Sequence, residues 1–180
     1  MNTLSIERNL ERRLFFALWP DEAIRDMLAG IARSAACEGR SVAARNFHVT
    51  LAFLGQVDTN RQDCVERVAM GIVARPFVLR LDRLGCFRRA GIVWSGISET
   101  PAELAFLVGE LQRGLAKCEF VPEERPFKAH VTLFRKVARA LENIPHDPVE
   151  WPVGDFCLAE SSTLPTGARY RVLRRWPLRG

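Results

Sequence analysis

Two of the three histidines in this 180-residue sequence stand in the same tetrapeptide, His48-Val49-Thr50-Leu51 and His130-Val131-Thr132-Leu133. In an extended strand alternate side chains share a face. Each copy therefore presents a histidine and a threonine on one side and two apolar residues on the other. An imidazole titrates near neutral pH, so one ring can take a proton while a second gives one. A threonine hydroxyl two residues along can donate a hydrogen bond to an oxygen on which charge builds. This set suits in-line displacement at a phosphodiester. One imidazole deprotonates the attacking oxygen, the other protonates the leaving oxygen, and Thr50 and Thr132 hold the non-bridging oxygens. The chemistry requires no metal, and neither motif has the clustered carboxylates or extra histidines that metal-dependent phosphoesterases usually present. One copy alone would read as a structural strand histidine; its recurrence points to a cleft shared by two duplicated lobes. The third histidine, His146 in Pro145-His146-Asp147-Pro148, reads as part of a surface turn.

The elements that must position these residues alternate short strands with helices. Leu14 to Trp19 is a strand-length apolar run, and Pro20-Asp21-Glu22 opens a helix on which Ile24, Leu28 and Ile31 recur at helical spacing. A second helix follows Asp58, with Val65, Val68, Ala69 and Ile72 on one face, and stops at Arg75-Pro76. A third runs from about Pro101 to Lys117 on a stripe of Leu104, Leu107, Val108, Leu111 and Leu115. Strands are predicted at Phe47 to Leu54, Phe77 to Leu84, Ile92 to Ile97, His130 to Phe134, Asp155 to Ser161 and Tyr170 to Trp176. The connection from Gly85 to Gly91 is too short for a crossover helix, so antiparallel pairing and an α+β class follow.

Length and composition narrow the rest. A chain of 180 residues with 48% hydrophobic residues can bury a core without a metal or disulfide staple, and residues 1–180 read as one domain. The five cysteines, at 37, 64, 86, 118 and 157, form no C-x-x-C pair and argue against a disulfide framework or a cysteine-ligated zinc. A reducing, cytoplasmic setting is expected. The polar start before Leu14 and the short apolar run after it do not resemble a signal peptide or a membrane span. A net charge of +5 is modest and by itself reads as a solubility device. The arginines nevertheless cluster, at Arg80, Arg83, Arg88 and Arg89 and again at Arg169, Arg171, Arg174, Arg175 and Arg179, as candidate phosphate contacts.

Several segments together resemble a known family. They are RLFFALWP at Arg13 to Pro20, NFHVTLAFLG at Asn46 to Gly55, GCFRRAGIVWSG at Gly85 to Gly96, HVTLFR at His130 to Arg135, and the tail from Glu160 to Leu178. The combination is similar to the two-histidine phosphoesterases, and within them to the RNA 2′,3′-cyclic phosphodiesterases, historically called 2′-5′ RNA ligases. Ala129 stands where family members often have proline before the second histidine. The resemblance implies two similar lobes, each an antiparallel sheet with outer helices, around a central cleft that carries both motifs. It also implies metal-free, cofactor-free hydrolysis of an RNA terminal 2′,3′-cyclic phosphate to a 2′-phosphate.

Carried over residue by residue, His48 and His130 are the acid/base pair and Thr50 and Thr132 the phosphate donors. His48 is taken as acid and His130 as base, though near-identical motifs leave that division open. Arg135 matches the arginine that follows the second motif and would contact phosphate or ribose. Strict alternation puts it on the wrong face, so it requires a bulge or the strand end to turn inward. Phe47 reads as core; Phe87, Trp94, Phe127 and above all Tyr170 are the candidates to stack a terminal base, and Arg88 and Arg89 could follow an RNA backbone. The expected partner is RNA with cyclic phosphate ends, bound by a monomer away from membranes. Hydrolysis of 2′-5′ oligonucleotides or small cyclic nucleotides, reverse ligation, and a non-catalytic RNA-end binding module are the competing readings.

Overall fold

A computed structural model describes residues 11–180 apart from 36, 122, 140–143 and 165–166; residues 1–10, on which part of the leader reading rests, lie outside it. The strands are β1 (Arg12–Leu18), β2 (Arg40–Ser41), β3 (Val49–Val57), β4 (Phe77–Phe87), β5 (Ile92–Gly96), β6 (His130–Arg135), β7 (Ile144–Val153), β8 (Asp155–Leu164) and β9 (Gly167–Pro177). All pair antiparallel in one sheet of order β7-β4-β5-β6-β3-β1-β8-β9, with β2 beside β6. The sheet divides into two four-stranded halves, β7-β4-β5-β6 and β3-β1-β8-β9, that meet where β6 touches β3. This is the expected α+β, two-lobed antiparallel architecture.

Three helices cover one face: α1 (Glu22–Ser34), α2 (Thr59–Met70) and α3 (Ala102–Ala116). Asp21 caps α1 through the Ile24 amide and Asp58 caps α2 through the Arg61 amide, both at 2.9 Å, satisfying first-turn donors that have no helical partner. α1 leaves the β1 half and packs on β6 and β7 of the other half, while α2 and α3 pack together and α3 lies on β3. Their apolar stripes, including Leu28, Val65, Leu107 and Leu111, enter one continuous core with Leu14, Phe16 and Leu18 of β1. A separate apolar patch of Phe15, Ala17, Cys157 and Ala159 lies on the other face of the sheet.

The structure corrects three sequence expectations. Pro145-His146-Asp147-Pro148 is not a turn but lies inside β7, which pairs with β4 from Phe77↔Val153 to Leu84↔Ile144. Its prolines mimic turn signals, yet β7 is an edge strand and a proline costs an edge strand no ladder bond on its open side. His146 accordingly is half-buried, its Nε2 2.9 Å from the hydroxyl of the buried Ser95 and its Nδ1 2.8 Å from the Asp147 carbonyl. Finally, Cys64 of α2 and Cys118, just past α3, form a disulfide. Their separation of 54 residues carries no pairing signal; only the packing of α2 on α3 brings the sulfurs together.

Arg61, one turn before Cys64, reinforces that link. Its guanidinium donates to the carbonyls of Cys118 (3.4 Å) and Glu119 (3.0 Å) and lies 3.9 Å over the Phe120 ring. The segment that leaves α3 is thus tied to α2 before it runs on to His130. A cross-link closing 54 residues is expected to stabilise the fold by about 4 kcal/mol, chiefly by restricting the unfolded chain. Reduction with dithiothreitol, or Cys64→Ser, should therefore lower the melting temperature by roughly 10 °C in a thermal scan. An unchanged midpoint would show that the cross-link adds nothing to stability.

Candidate active site

The two tetrapeptides lie against each other at the junction of the halves. Val49 pairs with Val131, and both are fully buried. Antiparallel continuation from this pair carries His48 toward Thr132 and Thr50 toward His130. Val49 and Val131 face the helices; the histidines and threonines therefore face the opposite, open side of the sheet.

Both strands then break alternation at the same place. β1 opposes Phe16 to Ala52 and Ala17 to Thr50, leaving Leu51 as an extra residue; β5 opposes Val93 to Phe134 and Trp94 to Thr132, leaving Leu133. These bulges fall on the fourth residue of each tetrapeptide. Beyond a bulge the facing of side chains reverses. Ala52 and Phe134 turn to the core, and Phe53 and Arg135 turn to the open face with the histidines. The bulge thus puts Arg135 on the same face as the histidines, where strict alternation would have turned it away.

The imidazoles are held alike. His48 Nδ1 lies 2.7 Å from the Asn46 carbonyl and His130 Nδ1 2.7 Å from the Lys128 carbonyl. A carbonyl only accepts, so in each ring Nδ1 carries the hydrogen and Nε2 keeps its lone pair for chemistry. His146 differs in having both ring nitrogens occupied by protein partners.

Their surroundings are not alike. His48 stacks on Trp19 (centroids 5.3 Å, 8°), with Phe15 and Tyr170 each 5.0 Å away and Tyr170 edge-on. Burial pushes His48 down to about 4, against the pull of the Asn46 carbonyl, and the charges of His130 and Arg135 push the same way. His130 meets Phe87 edge-on at 4.9 Å and Trp94 at 6.2 Å. It too is lowered, first by burial and then by the charges of Lys128 and Arg135, against the Lys128 carbonyl. Trp94 lies flat across Gly85 and Gly96, where a Cβ would collide with its indole, and Lys128 Nζ sits 4.2 Å over that ring.

The structure sorts the remaining sequence candidates. Tyr170, Phe87 and Trp94 border the histidines, Phe127 lines a neighbouring groove, and Phe47 is core. Of the arginine clusters, Arg80, Arg83, Arg171, Arg174 and Arg175 are paired with Glu150, Asp82, Glu160, Glu66 and Asp155. Four of these ion pairs lie within the sheet, and Arg174–Glu66 ties β9 to α2. Arg88 and Arg89 form the tip of the β4–β5 hairpin and line the groove. Phe15, Trp19, Phe53 and Lys128 are site neighbours that sequence reasoning missed. β1 is apolar on both faces, so its alternation gave no sign that Phe15 and Trp19 leave the core. Among the described residues no group of three or more His, Cys, Asp or Glu is placed to share a metal, and no helix is long and apolar enough to cross a membrane.

Two HxTx strands paired across the middle of one antiparallel sheet, with both imidazoles opening on a common face, define a two-histidine phosphoesterase architecture. The sequence of residues 19–163 matches the family model of the 2′-5′ RNA ligase superfamily, and this chain belongs to that family. It is 36% identical over 171 residues to an RNA 2′,3′-cyclic phosphodiesterase of Escherichia coli, spanning 93% of this chain and 97% of that protein. It is 30% identical over 174 residues to the Archaeoglobus fulgidus protein of the same name, spanning 90% and 98%. The crystal structure of E. coli LigT complexed with 3′-AMP superposes with a TM-score of 0.87 at 33% identity, covering 94% of this chain and 99% of that one.

The electrostatics can be read directly by a histidine titration followed by proton–carbon NMR. The His48 ring should titrate near 4 and the His130 ring below the ordinary 6.5. Because the Arg135 charge disfavours both imidazolium forms, Arg135→Ala should move both midpoints upward. Midpoints that stay fixed in this variant would place the guanidinium away from the rings.

Proposed function

We propose that this chain is a phosphodiesterase that opens RNA terminal 2′,3′-cyclic phosphates to 2′-phosphates with His48 and His130 as its acid/base pair. The observation that carries the reading is the pairing of Val49 with Val131, which sets two imidazoles with free Nε2 atoms and two threonine hydroxyls about one open face. Water attacks phosphorus and loses its proton to one imidazole. The bond from phosphorus to O3′ breaks, and O3′ takes a proton from the other imidazole, leaving a 2′-phosphate and a 3′-hydroxyl. Thr50, Thr132 and the Arg135 guanidinium supply donors to the non-bridging oxygens as charge accumulates there.

The step needs one ring neutral and one protonated. The stronger depression of His48 favours the proton on His130, which makes His130 the acid and His48 the base, the reverse of the assignment taken from the sequence. Since both rings lie below 6.5 in the empty site, with His48 about 4, the productive singly protonated pair belongs to the acid side of neutrality. An anionic phosphate between the rings favours their protonated forms and draws that window upward once substrate is bound. The reverse path, with a ribose 5′-hydroxyl in place of water, would join RNA ends through the same groups; the family to which the chain belongs favours this as a second reading. A monomeric enzyme completes the proposal, because one chain already supplies both motifs; the Cys64–Cys118 disulfide removes the cysteine argument for a reducing cytoplasm.

The test is incubation of an RNA ending in 2′,3′-cyclic phosphate with the protein and excess chelator, read by phosphorus NMR. A 2′-phosphate product is expected, with turnover falling about 10³-fold in His48→Ala and in His130→Ala. The kcat/KM profile should be bell-shaped with its maximum below pH 6.5, and the kcat profile should lie at higher pH. Turnover unchanged in both alanine variants would overturn the mechanism. Binding of cyclic ends without turnover would favour a binding module, and cleavage of only 2′-5′ linkages or small cyclic nucleotides would change the substrate.

A further inference from the structure

A groove of about 830 Å³ opens beside Thr50 and His130 and runs between β3, the β4–β5 hairpin tip and the segment after α3. Among the described residues its cations are Arg88, Arg89, Arg125 and Lys128, against one lining acid, Glu123. Arg88, Arg89 and Arg125 are exposed and, among the described residues, make no ion pair, unlike most arginines of the sheet. Phe53 also lines it, 53% exposed, with the Arg13 guanidinium 5.0 Å from its ring.

The position of Phe53 is informative. Each histidine is followed five residues later by the side chain that its bulge returns to the open face. After His130 that residue is Arg135, and after His48 it is Phe53. The duplicated motif thus offers a guanidinium in one half and a large exposed ring in the other. A ring that size left in solvent beside a cleft loses apolar burial unless a ligand covers it. Flat aromatic surface next to unpaired arginines is the combination that holds single-stranded nucleic acid, through base stacking and phosphate contacts.

Resting on the phosphodiesterase reading above, we propose that this groove holds the RNA strand on the 5′ side of the cyclised nucleotide. Phe53 stacks a base there, and Arg88, Arg89 and Arg125 follow the phosphates. A cyclic phosphate is the 3′ terminus of its strand, so the remaining nucleotides must leave the site in a single direction. The groove begins at Thr50 and His130, where that phosphate would sit, and carries the positive charge a backbone requires. The cross-link between Cys64 and Cys118, with Arg61 bound to Cys118 and Glu119, anchors the start of its outer wall.

The experiment compares a 2′,3′-cyclic mononucleotide with an RNA trimer ending in the same cyclised nucleotide. The trimer should show the higher kcat/KM in the wild-type protein. Combined Arg88→Ala, Arg89→Ala and Arg125→Ala should lower kcat/KM for the trimer about tenfold at low salt and leave that for the mononucleotide within about twofold. Affinity for the same trimer ending in 2′-phosphate, by fluorescence anisotropy, should fall in parallel, and its log–log salt slope should become shallower by about 2. Phe53→Leu keeps an apolar surface residue, so it should fold normally and weaken the trimer about fivefold or more.

Equal wild-type kcat/KM for trimer and mononucleotide would overturn the assignment, as would equal losses on both substrates in the variants. If neither substrate is turned over, the hydrolytic reading fails, and the groove stands or falls on the binding arm alone. There, loss of trimer affinity in the variants supports it and unchanged affinity overturns it.

Discussion

The pairing of Val49 with Val131 is the contact on which the site depends. Each valine is fully buried toward the helices, and each has a histidine and a threonine of its motif as neighbours on the reverse face. Burying both isopropyl groups fixes strand register, because a one-residue slip would send the valines to the open face and the imidazoles into the core. The hydrophobic effect acting on one face therefore sets the geometry of polar groups on the other. Helix α1 strengthens the arrangement by leaving the β1 half to cover β6 and β7, so the two halves share one core.

The bulges at Leu51 and Leu133 add a second layer to this constraint. Without them, Arg135 and Phe53 would point to the helices, where an arginine would be desolvated without a partner. With them, the third open-face side chain of each motif segment is Phe53 or Arg135 in place of Ala52 or Phe134. Both leucines are buried, at 4% and 0% exposure, so the bulges are packed features of the core. The position of the Arg135 guanidinium beside the two histidines thus rests on where a leucine packs behind it.

The histidine pairs and most of the sheet were legible in the sequence because they are local patterns. An HxTx strand and an amphipathic helix such as Ala102–Ala116 each declare themselves within a few residues. Arg135 was half legible. Its position after the second motif marked it, and the bulge it needed could be named, but a bulge depends on the partner strand β5 and leaves no sign in HVTLFR itself. The β7 strand was hidden by prolines that an edge position tolerates, and the Cys64–Cys118 bond by a helix packing that no cysteine spacing encodes. His146 was misplaced with β7, since its partner Ser95 is 51 residues away in sequence.

The duplication raises a physical problem that the surroundings resolve. In the proposed mechanism acid and base must differ in protonation at the same moment, yet identical tetrapeptides with identical Nδ1 contacts would make two rings of equal basicity. The difference has to come from outside the motif. Around His48 it comes from Trp19, Phe15 and Tyr170, which exclude water and depress the charged form. Around His130 it comes from a more open setting between Phe87 and Trp94, with Lys128 nearby. The same separation of roles recurs five residues on, where one copy carries Arg135 and the other Phe53. A site built by repeating one strand becomes directional only through residues that the repeat does not share, and in this sheet those residues lie on β4, β5 and β9, on or just after β1, just before β6, and just beyond the bulges.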